Sequence, residues 1–315
     1  MNFSFKNTIV FGSNGLVGSS VVNCFNNSKM IENLYPSTRS EVNLFDYKET
    51  SKFVDKIQPD LVIIAAARVG GIHANNSQRS EFLIENMKIN FNILESLIPF
   101  SECTIVNLGS SCIYPLDAPN PISEEFIFTG KLEPTNSPYA VAKLAAIELA
   151  NSMKLQFGHK IINLMPTNLY GPNDNFSELN SHVIPGMMNR MHHAKLQNKD
   201  NFDIWGSGNP KREFLHVDDL SSAIEFILKE DINLDLLNVG SGEEVKIIEL
   251  AQLLKEIIGF KGKINNDLSL PDGNPRKLID SSKLRELGWT PNISLKDGLT
   301  STYEWFLKNF ETLRV

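Results

Sequence analysis

Tyr139 and Lys143 stand four residues apart in Ser137-Pro138-Tyr139-Ala140-Val141-Ala142-Lys143. On a helix, positions i and i+4 share one face, so a phenol and an ammonium there can serve one site. Ser137 suits an N-cap and Pro138 the first helical position. An ammonium near a phenol favours the phenolate and lowers the tyrosine pKa, which makes the hydroxyl a usable proton donor near neutral pH. A half-buried tyrosine beside a solvated lysine would show the same spacing. The weight of the pair comes from what precedes it. Gly12-Ser13-Asn14-Gly15-Leu16-Val17-Gly18 follows an apolar run and opens a helical pattern. Gly12 allows a tight turn, Gly15 lets the backbone approach a pyrophosphate, and Gly18 permits close helix packing. The helix N-terminus then attracts the phosphates. The second strand is expected to end near Tyr35 to Thr38, where no acid stands to bind a ribose 2′-hydroxyl. Arg39 is the nearby cation and suits the 2′-phosphate of NADP. Asp46 is a candidate acceptor for the adenine amino group.

These groups need a scaffold that brings them to one edge. Thr8–Phe11, Leu61–Ala67, Thr104–Leu108 and Ile161–Met165 are apolar runs of buried-strand character. Leu16–Asn26, Ser80–Ile98 and Tyr139–Gln156 carry helical periodicity. Strands alternating with helices predict an α/β fold, a doubly wound parallel sheet of Rossmann type, which binds ligands at the carboxyl ends of its strands. Gly109-Ser110-Ser111-Cys112 follows the Thr104–Leu108 strand, so Ser110 should arrive at that edge with Tyr139. There a serine hydroxyl can orient a substrate hydroxyl or carbonyl.

After Pro172 the texture changes. Asn173–Ser181 reads as loop, His182–Lys195 as helix, and Phe202–Pro210 as a turn-rich stretch. Phe214–Val217 and Leu236–Val239 read as strands, Asp218–Leu228 as a helix, and the tail from Glu243 as two or three helices. His192 and His193 are expected on the solvent face of an amphipathic helix. The predicted layout is a dinucleotide-binding domain of residues 1–172 plus about 212–241, and a smaller α/β substrate-binding domain of 173–211 plus 242–315.

The 315 residues carry a net charge of -7, with 42% hydrophobic and 21% charged residues, the composition of a soluble globular protein. A basic nucleic-acid footprint is absent, so no nucleic-acid partner is expected. Three cysteines, Cys24, Cys103 and Cys112, have neither metal-ligand spacing nor the count of a disulfide framework; no metal is predicted and a reducing compartment fits. The longest apolar run is far shorter than a membrane span, and the N-terminus lacks a signal-peptide layout. A cytoplasmic location is expected.

The glycine loop with Ser110, Tyr139 and Lys143 resembles the extended branch of the short-chain dehydrogenase/reductase superfamily, as does Leu287-Gly288-Trp289-Thr290-Pro291. Within it, several blocks resemble the GDP-L-fucose synthases. They are Ala65-Ala66-Ala67-Arg68-Val69-Gly70-Gly71-Ile72, Leu108-Gly109-Ser110-Ser111-Cys112-Ile113-Tyr114-Pro115 and Leu132-Glu133-Pro134-Thr135-Asn136. Further along come Met165-Pro166-Thr167-Asn168-Leu169-Tyr170-Gly171-Pro172 and Asn180-Ser181-His182-Val183-Ile184-Pro185. Trp205-Gly206-Ser207-Gly208, the run from Arg212 to Asp219, and Pro271-Asp272-Gly273-Asn274-Pro275-Arg276-Lys277 complete the likeness.

That resemblance implies an enzyme that converts GDP-4-keto-6-deoxy-D-mannose in two stages with NADPH. The C4 ketone acidifies the protons at C3 and C5. A cysteine and a histidine, matching Cys112 and His182, would move those protons. Hydride would then reach C4 while Tyr139 protonates the oxygen. Leu108, Gly109, Ser110, Ser111, Pro166, Thr167, Asn168, Leu169 and His182 would border the cofactor with the glycine loop, and Lys143 would also bind the nicotinamide ribose. Arg190 and Arg212 would meet the diphosphate, Trp205 would offer a flat surface, and Asp272 and Arg276 would contact the ribose or sugar. A homodimer through N-terminal helices is also implied. The chain departs from the family where arginines often stand, at Asn14 and at Ser37, which leaves Arg39 to carry the NADP preference. A 4,6-dehydratase would need an Asp-Glu pair where Ser111-Cys112 stands. A simple 4-epimerase needs no cysteine there, and a non-catalytic cofactor sensor would not need the Ser–Tyr–Lys set. A relative acting on a different 4-keto-6-deoxy sugar nucleotide remains the alternative.

Overall fold

The computed structural model describes residues 5–178, 180–270 and 272–313. Pro271 of the last sequence block lies outside them. The first half comprises β1 (Phe5–Phe11), α1 (Leu16–Asn26), β2 (Ile31–Ser37), α2 (Tyr47–Ile57), β3 (Leu61–Ile64), α3 (Ile72–Ser77), α4 (Arg79–Leu97), β4 (Thr104–Leu108), α5 (Ser137–Phe157), β5 (Lys160–Pro166) and β6 (Asn168–Tyr170). The second half comprises α6 (Val183–Leu196), β7 (Asn201–Trp205), β8 (Lys211–His216), α7 (Val217–Lys229), β9 (Leu236–Val239), β10 (Glu244–Lys246), α8 (Ile247–Ile258), β11 (Lys263–Asp267), β12 (Arg276–Lys277), α9 (Ser282–Glu286) and α10 (Leu295–Lys308).

A parallel sheet in the order β2-β1-β3-β4-β5-β9 forms the centre. Its inner strands are covered on both faces, which is why Leu61–Ile64 and Thr104–Leu108 are continuous apolar runs with little polar alternation. Val21, Phe25, Ile224 and Ile227 from α1 and α7 cover one face. Val54, Ile93, Leu97, Ala146 and Ala150 from α2, α4 and α5 cover the other. The chain runs outward in opposite directions from β1 and β3, so a crevice opens above their carboxyl ends.

A second core joins α6, α8 and α10 around Met188, Phe176, Leu254 and Phe306. Small strands connect it to the rest. β8 pairs in parallel with β6 and β12 and antiparallel with β10, while β7 pairs with β11.

Three expectations change in detail. Helix α5 starts at Ser137 with Asn136 in the capping position, one residue earlier than the sequence predicts. Asp46, exposed, also caps α2, its Oδ1 accepting from the Glu49 amide at 3.0 Å, a helix-capping role that the adenine reading did not include. His192 is buried, with Nδ1 2.9 Å from the Tyr303 hydroxyl and its ring against Phe306 and Phe310. Helix α6 lies beneath the aromatic C-terminal helix, so the face expected to meet water meets α10; His193 remains half-buried beside Phe310.

Candidate active site

The glycine loop closes at the end of β1. Gly12 has φ +82°, and a Cβ on Gly18 would lie 2.1 Å from the Gly12 carbonyl oxygen, so α1 can dock here only without one. A Cβ on Gly15 would meet nothing nearer than 3.4 Å, so the loop's outer side is open. No side chain caps α1, which leaves its first amides free for an anion. The buried hydroxyls of Ser13 and Ser37 have no hydrogen-bond partner among the described residues. This open cradle with unclaimed donors fits the diphosphate of a dinucleotide. Asn14 is exposed at its tip. The Ser37 carbonyl accepts from the Gly12 and Ser13 amides at 3.0 and 3.1 Å, which holds the Arg39 segment against the cradle. Arg39 is exposed.

Helix α5 brings Tyr139 and Lys143 to the same crevice. Lys143 is buried, and its Nζ donates to the Leu108 carbonyl at 2.7 Å, which ties the helix to the end of β4. Burial pushes its pKa down to about 8. The ammonium lies 5.9 Å from the Tyr139 ring centre. Phe82 meets the Tyr139 ring edge-on, and Arg68 lies over Phe82. The sequence predicts that Lys143 lowers the phenol's pKa. In the structure burial comes first, with the neighbouring Cys112 side chain adding to it, and the Tyr139 pKa stands well above its usual value. A phenol that keeps its proton at neutral pH suits a group that must donate one.

After β4 the chain makes a tight 3₁₀ turn, Ser111–Ile113. The Ser110 hydroxyl accepts from the Cys112 amide at 3.3 Å, so both reactive side chains are set by one turn. Cys112 is buried. Desolvation raises its thiol pKa, opposed by Lys277, the Ser110 hydroxyl and Lys143. The Gly109 amide donates to the Leu164 carbonyl and the Asn168 side chain to the Glu213 carbonyl, which draws the ends of β4, β5 and β8 together. Thr167 is buried and its hydroxyl donates to the same Glu213 carbonyl at 3.3 Å, which holds the segment from Pro166 to Leu169 against β8.

His182 stands at the N-cap of α6 with much of its side chain facing open space, while surrounding protein holds its pKa below the ordinary value. The segment before it rests on Gly71. The Gly71 amide donates to the Asn180 carbonyl at 2.8 Å, and a Cβ on Gly71 would come within 2.2 Å of the Ser181 oxygen.

The substrate-side residues differ more from expectation. Arg190 has its guanidinium 5.0 Å from the half-exposed Trp205 ring and 5.1 Å from Phe202. Arg212 donates to the Asn274 carbonyl at 2.6 Å. Asp272 is committed to the turn after Trp205, its two oxygens accepting from the Ser207 amide at 2.8 Å and the Ser207 hydroxyl at 2.6 Å. Arg276 forms a bidentate pair with Glu244, both bonds 2.7 Å, and points its charge there. The neighbouring Lys277 faces Cys112 and Arg212 instead, and burial lowers its pKa. Lys277 and the fully buried Glu213 carry no local sequence signal of this placement, which the pairing of β12 with β8 creates. The Glu213 carboxylate accepts from the Gly242 amide at 2.7 Å and the Ile279 amide at 3.2 Å.

The model of the "NAD dependent epimerase/dehydratase family" matches residues 8–240. Putative GDP-L-fucose synthase 2 of Arabidopsis thaliana is 51% identical over 95% of this chain and 91% of its own length. GDP-L-fucose synthase of Escherichia coli is 43% identical over 99% of both chains. A GDP-L-fucose synthetase of Naegleria fowleri solved with NADP bound superposes with a TM-score of 0.88 at 27% identity, over 98% of this chain and 96% of that one.

Proposed function

The chain belongs to the NAD dependent epimerase/dehydratase family, and on that premise we propose that it catalyses the GDP-L-fucose synthase reaction. GDP-4-keto-6-deoxy-D-mannose is epimerised at C3 and C5 and its 4-keto group is then reduced. The cofactor is NADPH. The observation that carries the reading is one crevice edge holding two kinds of proton-transfer group. Ser110 and Tyr139 serve a carbonyl, and the buried Cys112 beside Ser110 has no role in simple reduction.

In the first stage, at each carbon flanking the ketone, one of Cys112 and His182 takes the proton and the other supplies one to the opposite face of the resulting enolate. Each group must hold and release a proton. The lowered pKa keeps His182 neutral and able to accept. Lys277 and Lys143 oppose the desolvation that holds Cys112 as a thiol. In the second stage the bound reduced nicotinamide supplies hydride chemistry at C4. Tyr139 gives its proton to the C4 oxygen, Ser110 orients that oxygen, and the Lys143 ammonium stabilises the negative charge that develops there. Arg190, Arg212 and Lys277 present positive charge for the diphosphate, with Trp205 as the flat surface beside it. Asp272 acts by fixing the Trp205 turn.

Residues 1–172 plus about 212–241 hold the cofactor, and 173–211 plus 242–315 hold the sugar nucleotide. Exposed Ile84 and Phe91 on α4 and Val141 on α5 support a homodimer through these paired helices. Among the described residues no helix is long and apolar enough to cross a membrane. The sparse cysteines, without the count of a disulfide framework, support a cytoplasmic location. The test is NADPH oxidation with GDP-4-keto-6-deoxy-D-mannose, with NADH in parallel. Formation of GDP-L-fucose is expected. Cofactor binding without oxidation would transfer the reading to another keto-sugar nucleotide.

A further inference from the structure

The loop after β2 carries an interaction that the reaction does not use. One Glu41 carboxylate oxygen accepts from the Thr38 backbone amide at 2.8 Å and from the Thr38 hydroxyl. The same hydroxyl lies 2.7 Å from the Ser40 hydroxyl and 3.3 Å from the Ser40 amide. The Glu41 and Val42 amides return to the Thr38 carbonyl at 3.2 and 3.3 Å and close the loop. Arg39, exposed within it, has no hydrogen bond or ion pair among the described residues. The loop is anchored to the glycine cradle because Ser37 takes the Gly12 and Ser13 amides.

A backbone amide, two hydroxyls and an unpaired guanidinium form a donor set suited to three phosphate oxygens. In this structure a carboxylate of the same chain holds the amide and one hydroxyl. We propose that Glu41 is a specificity-determining residue, an internal anion occupying the donors that the 2′-phosphate of the cofactor would use, so that NADP(H) binds only by displacing it. This rests on the NADPH reading above. A cofactor lacking the 2′-phosphate leaves Glu41 in place and gives up nothing. A cofactor bearing it must release Glu41 and tolerate a second negative charge nearby. With Asn14 and Ser37 in place of possible arginines, Arg39 faces that competition alone. The Thr38 bonds also hold the Glu41 carboxyl below its usual pKa, so it remains an anion at working pH.

Calorimetric titration with 2′,5′-ADP, which carries the phosphate, and with 5′-AMP, which lacks it, separates the terms without catalysis. Glu41→Gln should tighten 2′,5′-ADP by roughly threefold to tenfold, the scale of one exposed like-charge contact plus one released hydrogen bond. Its affinity for 5′-AMP should be unchanged, which also reports an intact cradle. Arg39→Gln should weaken 2′,5′-ADP alone. Equal or weaker binding of 2′,5′-ADP to Glu41→Gln would overturn the competition, and parallel weakening of both ligands would make Glu41 a loop-ordering group. A wild-type protein that binds 5′-AMP but gains nothing from the 2′-phosphate would overturn the NADPH reading together with this one.

Discussion

The two walls of the crevice are built differently. On one, Ser110, Tyr139 and Lys143 sit at the end of a central strand and on a 21-residue helix, joined by the Lys143 bond to Leu108. On the other, Arg212, Lys277 and the Trp205 turn depend on strands of two to six residues, β8 and β12 in one small sheet and β7 in another. The first wall is rigid because its elements share the sheet's cores. The second is held by individual polar contacts, Asp272 to Ser207, Arg276 to Glu244, and Glu213 to Gly242 and Ile279. One wall should therefore respond to substitution by losing chemistry, and the other by losing fit.

The largest effect should come from the first wall. Tyr139→Phe should lower the reduction rate by at least about 10²–10⁴, the usual contribution of a placed proton donor, and leave deuterium exchange at C3 and C5 intact. Cys112→Ala should invert that pattern, stopping exchange while NADP still binds. Loss of both activities in both variants would merge the stages. A smaller effect concerns pH. Burial lowers the Lys143 pKa to about 8, so the ammonium is present below that pH and lost above it. The rate of the reductive step should fall with a one-proton slope as pH rises through about 8, and Lys143→Arg should abolish that fall. A flat profile to pH 10 would contradict it. The smallest effect belongs to the second wall. Asp272→Asn should raise KM a few-fold, roughly the worth of one hydrogen bond, and leave kcat nearly unchanged, read from initial rates. A large kcat loss would place Asp272 among the reacting groups.

The difference between the walls also explains what could be read beforehand. The glycine loop, Leu61–Ile64, Thr104–Leu108 and the Tyr139–Lys143 helix declare themselves through local spacing and apolar runs. The short strands β6, β10 and β12 do not, because two or three residues of ladder carry no periodicity of their own. Lys277 could not be told from Arg276 by type; the register Lys277 against Arg212 decides which faces the thiol. His192 reads as surface until α10 is laid over it. The phenol's raised pKa is likewise invisible in the spacing, since desolvation depends on everything packed around Tyr139.

Glu213 ties these observations to the order of synthesis. Its carboxylate gathers amides from residues 242 and 279, and its carbonyl fixes the Asn168 side chain just beyond the end of β5. A ribosome emits the glycine loop long before it emits Ile279. The nascent chain can therefore build its glycine cradle early, yet it cannot finish the second wall until Ile279 has emerged.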